Sequence, residues 1–125
     1  MLNEYELMQE LGFTMNEAKI YLVLLKKNPL NGYEVAKEAK IARATVYGIL
    51  DKLVQKKYVA IIDGETTRYA PINYKDIIMR LKNEFTLKLK NMEEFLDNYS
   101  QKDISENYVI NLSNYSSKLS KKTVS

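Results

Sequence analysis

The chain has 125 residues, of which 46% are hydrophobic, and its formal net charge is +3. This length fits one domain with an appendage, and so small a charge favours a nucleic-acid partner only weakly. Cysteine and histidine are both absent, which excludes disulfides, Cys/His zinc sites, and Ser–His or Cys–His catalysis.

The rest of the composition indicates neither a membrane protein nor an enzyme. No apolar run reaches the ~18 residues that span a bilayer, and no signal peptide is visible, so a cytoplasmic location is predicted. Glu93 and Glu94 form the one pair of adjacent carboxylates, and on a helix we expect them to be solvated. The glycines stand alone, so no phosphate-binding loop is present. We therefore predict no metal, no cofactor and no catalytic site.

Two helices are predicted before residue 30. The first lies within residues 1–11 and ends at Gly12, a residue type common just after a helix. The second begins at Thr14, because Thr14 and Glu17 have the spacing of a capping box. It ends at Asn28-Pro29, since the residue before a proline avoids the helical conformation.

A helix–turn–helix pattern follows. The third helix begins at Asn31, where Glu34 completes a second capping box. Its candidates for burial are Tyr33, Val35, Ala36 and Ala39. Residues 40–42 form the turn, and the fourth helix spans residues 42–56. At ~100° per residue this helix has one apolar stripe, which consists of Val46, Ile49, Leu50 and Leu53.

The opposite face of the fourth helix is small where a solvated face would be charged. Ala44 and Gly48 lie there, and a glycine costs the helix about 1 kcal/mol relative to alanine. Small residues suit a face that another surface approaches closely; the alternative is an ordinary surface helix. Arg43 opposes the helix dipole in the first turn, which a phosphate or guanine partner would explain. Its alternatives are a solvated side chain or a salt bridge to Glu38 or Asp63.

A β-hairpin is predicted after the fourth helix, because Asp63-Gly64 separates two β-rich runs at residues 58–62 and 67–70. In winged-helix proteins such a hairpin is called the wing, and it lies over the DNA backbone or minor groove. Thr66 and Arg68 suit that contact, whereas Asp63 and Glu65 would repel phosphates. The alternative is a hairpin that only closes the core.

A long helix is predicted from Asn73, its N-cap, to about residue 100. Its apolar residues follow heptad positions over about three heptads, interrupted at Lys88. A monomer would leave this stripe exposed, so we predict that residues 73–100 pair two chains; the alternative is packing on its own domain. The predicted seam consists of Ile78, Leu81, Phe85, Leu89, Met92, Phe95, Leu96 and Tyr99.

The polar residues 101–125 are predicted to form a flexible tail. Within them Tyr108, Ile110 and Leu112 alternate as in one β-strand.

Many of these residues resemble the N-terminal domain of the TrmB family of archaeal transcription regulators, over about residues 5–100. They are Leu11-Gly12-Phe13-Thr14, Glu17-Ala18, Tyr21-Leu22, Ala36, Arg43-Ala44-Thr45-Val46-Tyr47, Leu50, Leu53 and Tyr58-Val59. The resemblance implies a dimeric winged-helix regulator. Family members continue into a sugar-sensing domain; this chain ends where that domain would begin, so sugar sensing is not carried over. The family usually has glycine where this chain has Lys57, so a left-handed turn there would cost ~1 kcal/mol.

The sequence therefore predicts a mainly α winged helix–turn–helix domain over residues 1–72, followed by the dimerisation helix and the tail. The predicted function is sequence-specific binding of double-stranded DNA by a homodimer. The helix 42–56 would enter the major groove and the wing 58–70 would contact the backbone or minor groove. The alternative is a winged-helix docking module that binds protein instead of DNA; no effector is identified. The predicted DNA contacts are Asn31, Arg43, Ala44, Thr45, Tyr47, Gly48, Lys52, Thr66 and Arg68.

Overall fold

The computed structural model describes residues 2–101 and 108–114, and it confirms the mainly α winged helix–turn–helix with a long last helix. The helices are α1 (Glu4–Glu10), α2 (Met15–Lys26), α3 (Gly32–Ala39), α4 (Arg43–Gln55) and α5 (Tyr74–Gln101). The strands are β1 (Leu30–Asn31), β2 (Val59–Ile62) and β3 (Arg68–Pro71). The chain divides into two compact units, and the boundary between them lies between Asn83 and Glu84.

The sheet has one strand more than the predicted hairpin. Its order is β1-β3-β2, antiparallel throughout. Leu30 pairs with Tyr69, and Asn31 pairs with Arg68. A strand of two residues is too short to show an alternating pattern, so only the tertiary structure reveals it. Through this pairing the start of α3 lies beside the return strand of the wing.

The core of the first unit is formed mainly by α2, α3, α4, the sheet and the first turn of α5, whereas α1 has no buried residue. One charged residue lies within it: Glu17 is 1% exposed. Its carboxylate accepts from Nζ of Lys56 at 2.9 and 3.0 Å and from the backbone N–H of Thr14 at 2.9 Å. The buried apolar residues are Phe13, Ala18, Ile20, Tyr21, Leu24, Leu30, Val35, Ala36, Val46, Leu50, Leu53, Tyr58, Val59, Tyr69 and Ile77.

The helix starts follow local sequence signals closely. Capping boxes at Thr14 and Asn31 are confirmed, and a third lies at Asn3. The side chain of Asn73 accepts from the N–H of Lys75 at 2.8 Å, as predicted for the start of α5. These caps satisfy backbone donors that a helix leaves unpaired in its first turn, so they depend only on residues within three positions.

Lys57 adopts a left-handed backbone conformation, so the strained turn that the resemblance implied at this position is present. Its φ is 62°, and Lys40, which ends α3, has a φ of 59°. At Lys57 the chain must reverse from α4 into β2, and the N–H of Tyr58 donates back to the carbonyl of Leu53 at 2.9 Å. That bond closes the helix end and offsets the cost of a left-handed lysine.

Two sequence predictions are wrong. Tyr33 was expected in the core but is 53% exposed, because it lies about 200° around α3 from the buried Val35. Residues 108–111 form no strand, and residues 112–114 form a helical turn. The described sheet consists of β1, β3 and β2 and does not include this segment, and an isolated strand is unstable. The rest of the predicted flexible tail lies outside the described residues.

Within residues 2–101 and 108–114, no helix combines the length and apolar character needed to cross a bilayer.

Candidate nucleic-acid interface

The orientation of α4 is set by its apolar stripe. Val46, Leu50 and Leu53 are fully buried, which anchors the helix in the core. Arg43 and Tyr47 consequently remain exposed at its amino-terminal end. The amino-terminal end of α4 is thus exposed to solvent while its apolar stripe is fixed in the core. A helix that enters a DNA groove requires this arrangement.

The side chain of Arg43 is held by an aromatic ring. Its Cζ lies 5.2 Å from the centroid of the Tyr33 ring, a cation–π contact. The salt bridge to Glu38 that was an alternative is made instead by Lys27, at 3.5 Å. Arg43 therefore keeps its hydrogen-bond donors available while its guanidinium plane rests against α3.

Tyr47 packs on the start of α3. Its ring lies so close to Gly32 that a Cβ at residue 32 would overlap the ring carbons. Gly32 is buried, and Tyr47 is 40% exposed. Tyr47 therefore packs against α3 on one side of its ring and is open to a partner on the other side.

Four of the predicted contact residues meet around one surface groove between α3, α4 and the wing. They are Asn31, Arg43, Tyr47 and Thr66. Arg68 lies in an adjoining groove that shares Asn31 and Thr66 and also contains Glu34 and Glu65. The β1–β3 pairing is the reason for this meeting, because it places Asn31 directly opposite Arg68.

The other predicted contacts lie on α4 outside these grooves. Ala44, Thr45, Gly48 and Lys52 are all exposed. A Cβ at Gly48 would have no atom within 4 Å, so nothing inside the described chain requires a glycine there. This face is therefore open and small, as predicted.

The amino terminus of α4 differs from the other helix starts. Its N-cap is Ala42, which makes no side-chain capping bond, and its first turn contains no acidic residue. By contrast, α1, α2 and α3 each have a complete capping box. The free N–H groups and the positive end of the helix dipole at Arg43 are therefore directed to solvent.

A neutral hydroxyl lies beside this surface. Burial raises the pKa of Tyr69 above its usual value, and the negative charge of Asp51 and the neighbouring Tyr47 raise it further. Because its pKa is raised, the phenol of Tyr69 is protonated and uncharged at neutral pH. Tyr69 lines the same groove as Arg43. Among the described residues, no cluster of three or more acidic side chains could hold a metal ion.

The predicted dimerisation seam is exposed along most of α5. Phe85, Phe95 and Tyr99 are 62%, 64% and 61% exposed, which is unusual for large aromatic residues. Leu81 is the exception, because it packs partly against the core of its own unit. The remaining exposed members are Ile78, Leu89, Met92 and Leu96.

Sequence reasoning missed two residues of the groove between α3, α4 and the wing. Tyr33 was assigned to the core, although its position relative to Val35 on a 3.6-residue helix could have shown that it faces outward. Gly32 had no sequence signal, because its role depends on Tyr47, which approaches from another helix.

Comparison with known proteins supports the class of protein that this fold defines. The family model described as sugar-specific transcriptional regulator TrmB matches residues 7–75, from the second half of α1 to the start of α5, which include the grooves described above. The chain belongs to the TrmB family, and its fold and family are those of transcription regulators.

Two curated relatives share the matched region. The chain is 31% identical over 99 residues to the uncharacterised protein YrhO of Bacillus subtilis, and it spans 36% of that protein. It is 30% identical over 87 residues to the HTH-type sugar sensing transcriptional regulator TrmBL1 of Pyrococcus furiosus, and it spans 26% of that protein. These alignments cover 79% and 70% of this chain. Because one relative is bacterial, the archaeal source implied by the resemblance stays a prediction.

A solved structure has the same fold. TrmBL2, an archaeal chromatin protein with a novel mode of DNA binding, superposes with a TM-score of 0.73 at 20% identity. The superposition covers 97% of this chain and 44% of TrmBL2.

Proposed function

We propose that this chain is a transcription regulator that binds double-stranded DNA as a homodimer, with α4 in the major groove. The observation that carries the proposal is the environment of Arg43. It is an exposed arginine in the first turn of an anchored helix, and its guanidinium rests on the Tyr33 ring. No acidic partner neutralises it in the first turn of α4.

The chemistry of this surface matches what DNA offers. Arg43 can donate two hydrogen bonds to O6 and N7 of a guanine, or clamp a phosphate. Ala44 and Gly48 leave room for the groove wall to approach α4 closely. The uncapped N–H groups at the start of α4 can donate to a phosphate oxygen, since helix amino termini attract anions.

The wing supplies a second contact. Arg68 and Thr66 lie next to Asn31 at the edge of the grooves, where they would meet the DNA backbone or minor groove while α4 lies in the major groove. Thr45 and Lys52 on α4 would add phosphate contacts. The names of TrmBL1 and TrmBL2 support this reading, since one is a transcriptional regulator and the other binds DNA.

The homodimer is supported by the exposed stripe of α5. An apolar stripe repeated at heptad spacing is covered in stable proteins, most simply by the same stripe of a second chain. Two copies of α4 related by a two-fold axis would then read two half-sites of a symmetric DNA sequence. Residues 73–100 would provide this seam.

A docking module without DNA binding is the second candidate, and one observation favours it. Glu34 and Glu65 line the groove that contains Arg68, so the wing side of the surface carries negative as well as positive charge. Phosphates would be repelled by these carboxylates, whereas a basic peptide would not.

Salt dependence separates the two candidates. A duplex selected by the protein from a random-sequence pool should bind with an affinity that falls steeply as salt rises, because phosphate contacts release counterions. Arg43→Ala should weaken this binding by about 1–3 kcal/mol at one base pair per half-site if Arg43 grips guanine. If Arg43 holds a phosphate instead, all sequences should weaken equally and the salt slope should fall by about one.

The matched control is Lys26→Ala, which removes one positive charge from the exposed end of α2. It should leave the affinity and the salt slope nearly unchanged. If the selection from random DNA enriches no sequence and binding is insensitive to salt, the result would favour a docking module over a DNA-binding regulator.

A further inference from the structure

The carboxyl end of α4 is held by a side chain from α5. Nη2 of Arg80 donates to the carbonyl of Lys56 at 2.8 Å, and Nη1 donates to the carbonyl of Lys57 at 3.1 Å. Its Cζ also lies 5.2 Å from the centroid of the Tyr58 ring. Arg80 therefore contacts three consecutive residues at the joint where α4 ends and the wing begins. A planar guanidinium can make these contacts together, whereas a lysine ammonium cannot reproduce the fork.

At residues 56–58 the chain reverses its direction between α4 and β2. Lys57 is left-handed, a conformation that is costly for any residue with a Cβ. The last carbonyls of a helix lack partners within the helix and carry the negative end of its dipole. Arg80 donates to the carbonyl of the C-cap Lys56 and to that of the next residue, Lys57, so this cation stabilises both the helix end and the reversal into β2. The carbonyl of Tyr58 in turn accepts from the N–H of Ile72 at 2.9 Å, just before α5 begins.

We propose that Arg80 is a positioning residue for DNA recognition: it fixes the direction of α4 and the origin of the wing without contacting DNA itself. This inference rests on the proposed function. It adds a residue that lies at the opposite end of α4 from Arg43 and that no pattern in the sequence indicated. The contact also joins the helix that would dimerise to the helix that would read DNA.

The length of α4 explains why its far end matters. A helix of 13 residues is about 20 Å long, so a tilt of ~5° about its centre moves the first turn by ~1 Å. A displacement of ~1 Å is enough to weaken a recognition site built on directed hydrogen bonds. Leu50 and Leu53 are fully buried in the second half of α4, and its C-cap residue Lys56 forms an ion pair with Glu17 of α2. These anchors keep the domain folded when Arg80 is replaced, while the orientation of α4 is relaxed.

The test compares Arg80→Gln with Lys82→Gln in the full chain. Both substitutions remove one positive charge from the same part of α5, and Lys82 is exposed. Affinity is measured for the duplex that the wild-type protein selects from a random-sequence pool and for a scrambled duplex of the same composition. The temperature is one at which circular dichroism shows every variant fully folded. We expect Arg80→Gln to weaken binding to the selected duplex by about three- to thirtyfold, the range of coupling through one contact, and to change the scrambled duplex much less.

A second variant separates positioning from stability. Lys57→Gly removes the cost of the left-handed lysine, so the double variant Arg80→Gln/Lys57→Gly should regain most of the melting temperature that Arg80→Gln loses. The inference predicts that its affinity for the selected duplex stays low. Wild-type affinity in the double variant, or an equal loss in Lys82→Gln, would overturn the inference. Wild-type protein that selects no duplex would overturn the proposed function, and this inference with it.

Discussion

The ring of Tyr47 occupies the space that any side chain at Gly32 would need. Gly48, the next residue along α4, is in the opposite situation, because a Cβ there would have no atom within 4 Å. The two glycines therefore have different reasons to be present. Packing inside the domain explains Gly32, whereas Gly48 makes sense through a surface outside this chain.

Alanine at the two positions should change stability in opposite directions. Gly32→Ala should destabilise the domain by about 1 kcal/mol, the low end of the cost of overpacking, since the half-exposed end of the Tyr47 ring must move. Gly48→Ala should stabilise it by up to about 1 kcal/mol through helix propensity. Urea unfolding followed by circular dichroism measures both. A Gly32→Ala protein as stable as wild type would mean that Tyr47 leaves its place at no cost.

A longer side chain at Gly48 tests how closely DNA approaches α4. Gly48→Gln should give a fold at least as stable as wild type, because glutamine is the better helix former. If the groove wall lies against this face, the affinity for the selected duplex should be lost. Thermal melts and DNA titrations on the same samples separate the two effects. Retained affinity in a stable variant would argue for the docking module.

The contact between Tyr33 and Arg43 should contribute to DNA affinity by keeping the guanidinium in place. An exposed cation–π contact is worth about 0.5–1 kcal/mol, so Tyr33→Leu should weaken binding by roughly two- to fivefold. Tyr33→Phe keeps the ring and is the matched control, which should bind like wild type. Stability should change little in both variants because Tyr33 is 53% exposed. Equal weakening in the two variants would point to the hydroxyl, not the ring.

Charge in the α5 stripe should prevent dimerisation. The chain should sediment as a dimer at micromolar concentration, and Phe95→Lys should convert it to a monomer, because a desolvated ammonium costs several kcal/mol. Leu87→Lys is the control, since Leu87 is 57% exposed but lies off the heptad stripe. It should remain a dimer. A wild-type chain that sediments as a monomer would contradict the proposed seam.

Stability should fall at high pH because of Tyr21. Burial, with a smaller contribution from Tyr74, raises its pKa from 10.0 to about 12. Its hydroxyl also donates to the carbonyl of Ile72 at 2.7 Å. In the unfolded chain the phenol loses its proton at lower pH, so the stabilisation is complete below pH 10 and is lost as pH rises towards 12.

Urea unfolding across this range should show about 1–3 kcal/mol of loss from Tyr21. Tyr21→Phe should show a shallower decline and cost about 1 kcal/mol at neutral pH for the lost hydrogen bond. Some decline should remain in the variant, since burial also raises the pKa of Tyr69. Identical pH profiles in the two proteins would show that Tyr21 is not the group responsible.

Two long-range contacts illustrate what could not be read from the sequence. Lys56 and Glu17 are 39 positions apart, and their ion pair buries a carboxylate that the sequence identified only as a helix cap. Arg80 reaches the end of α4 from another helix, and it resembles any surface arginine when only its neighbours in sequence are known. Neither contact produces a periodic pattern in the sequence, because each is made by a single side chain that reaches a distant part of the chain.

The sequence by itself determined the described helices that precede residue 102, the two strands of the hairpin and the face of α4 that is exposed. Capping boxes, Asp63-Gly64 and the stripe of Val46, Leu50 and Leu53 act over a few residues, so local chemistry is sufficient to specify them. Only the tertiary structure decided which exposed residues share a surface. The two-residue β1 brings Asn31 to Arg68, and the packing of α3 on α4 brings Tyr33 to Arg43. These neighbours are set by how helices and strands pack, and that packing is the sum of many weak contacts between residues far apart in the chain.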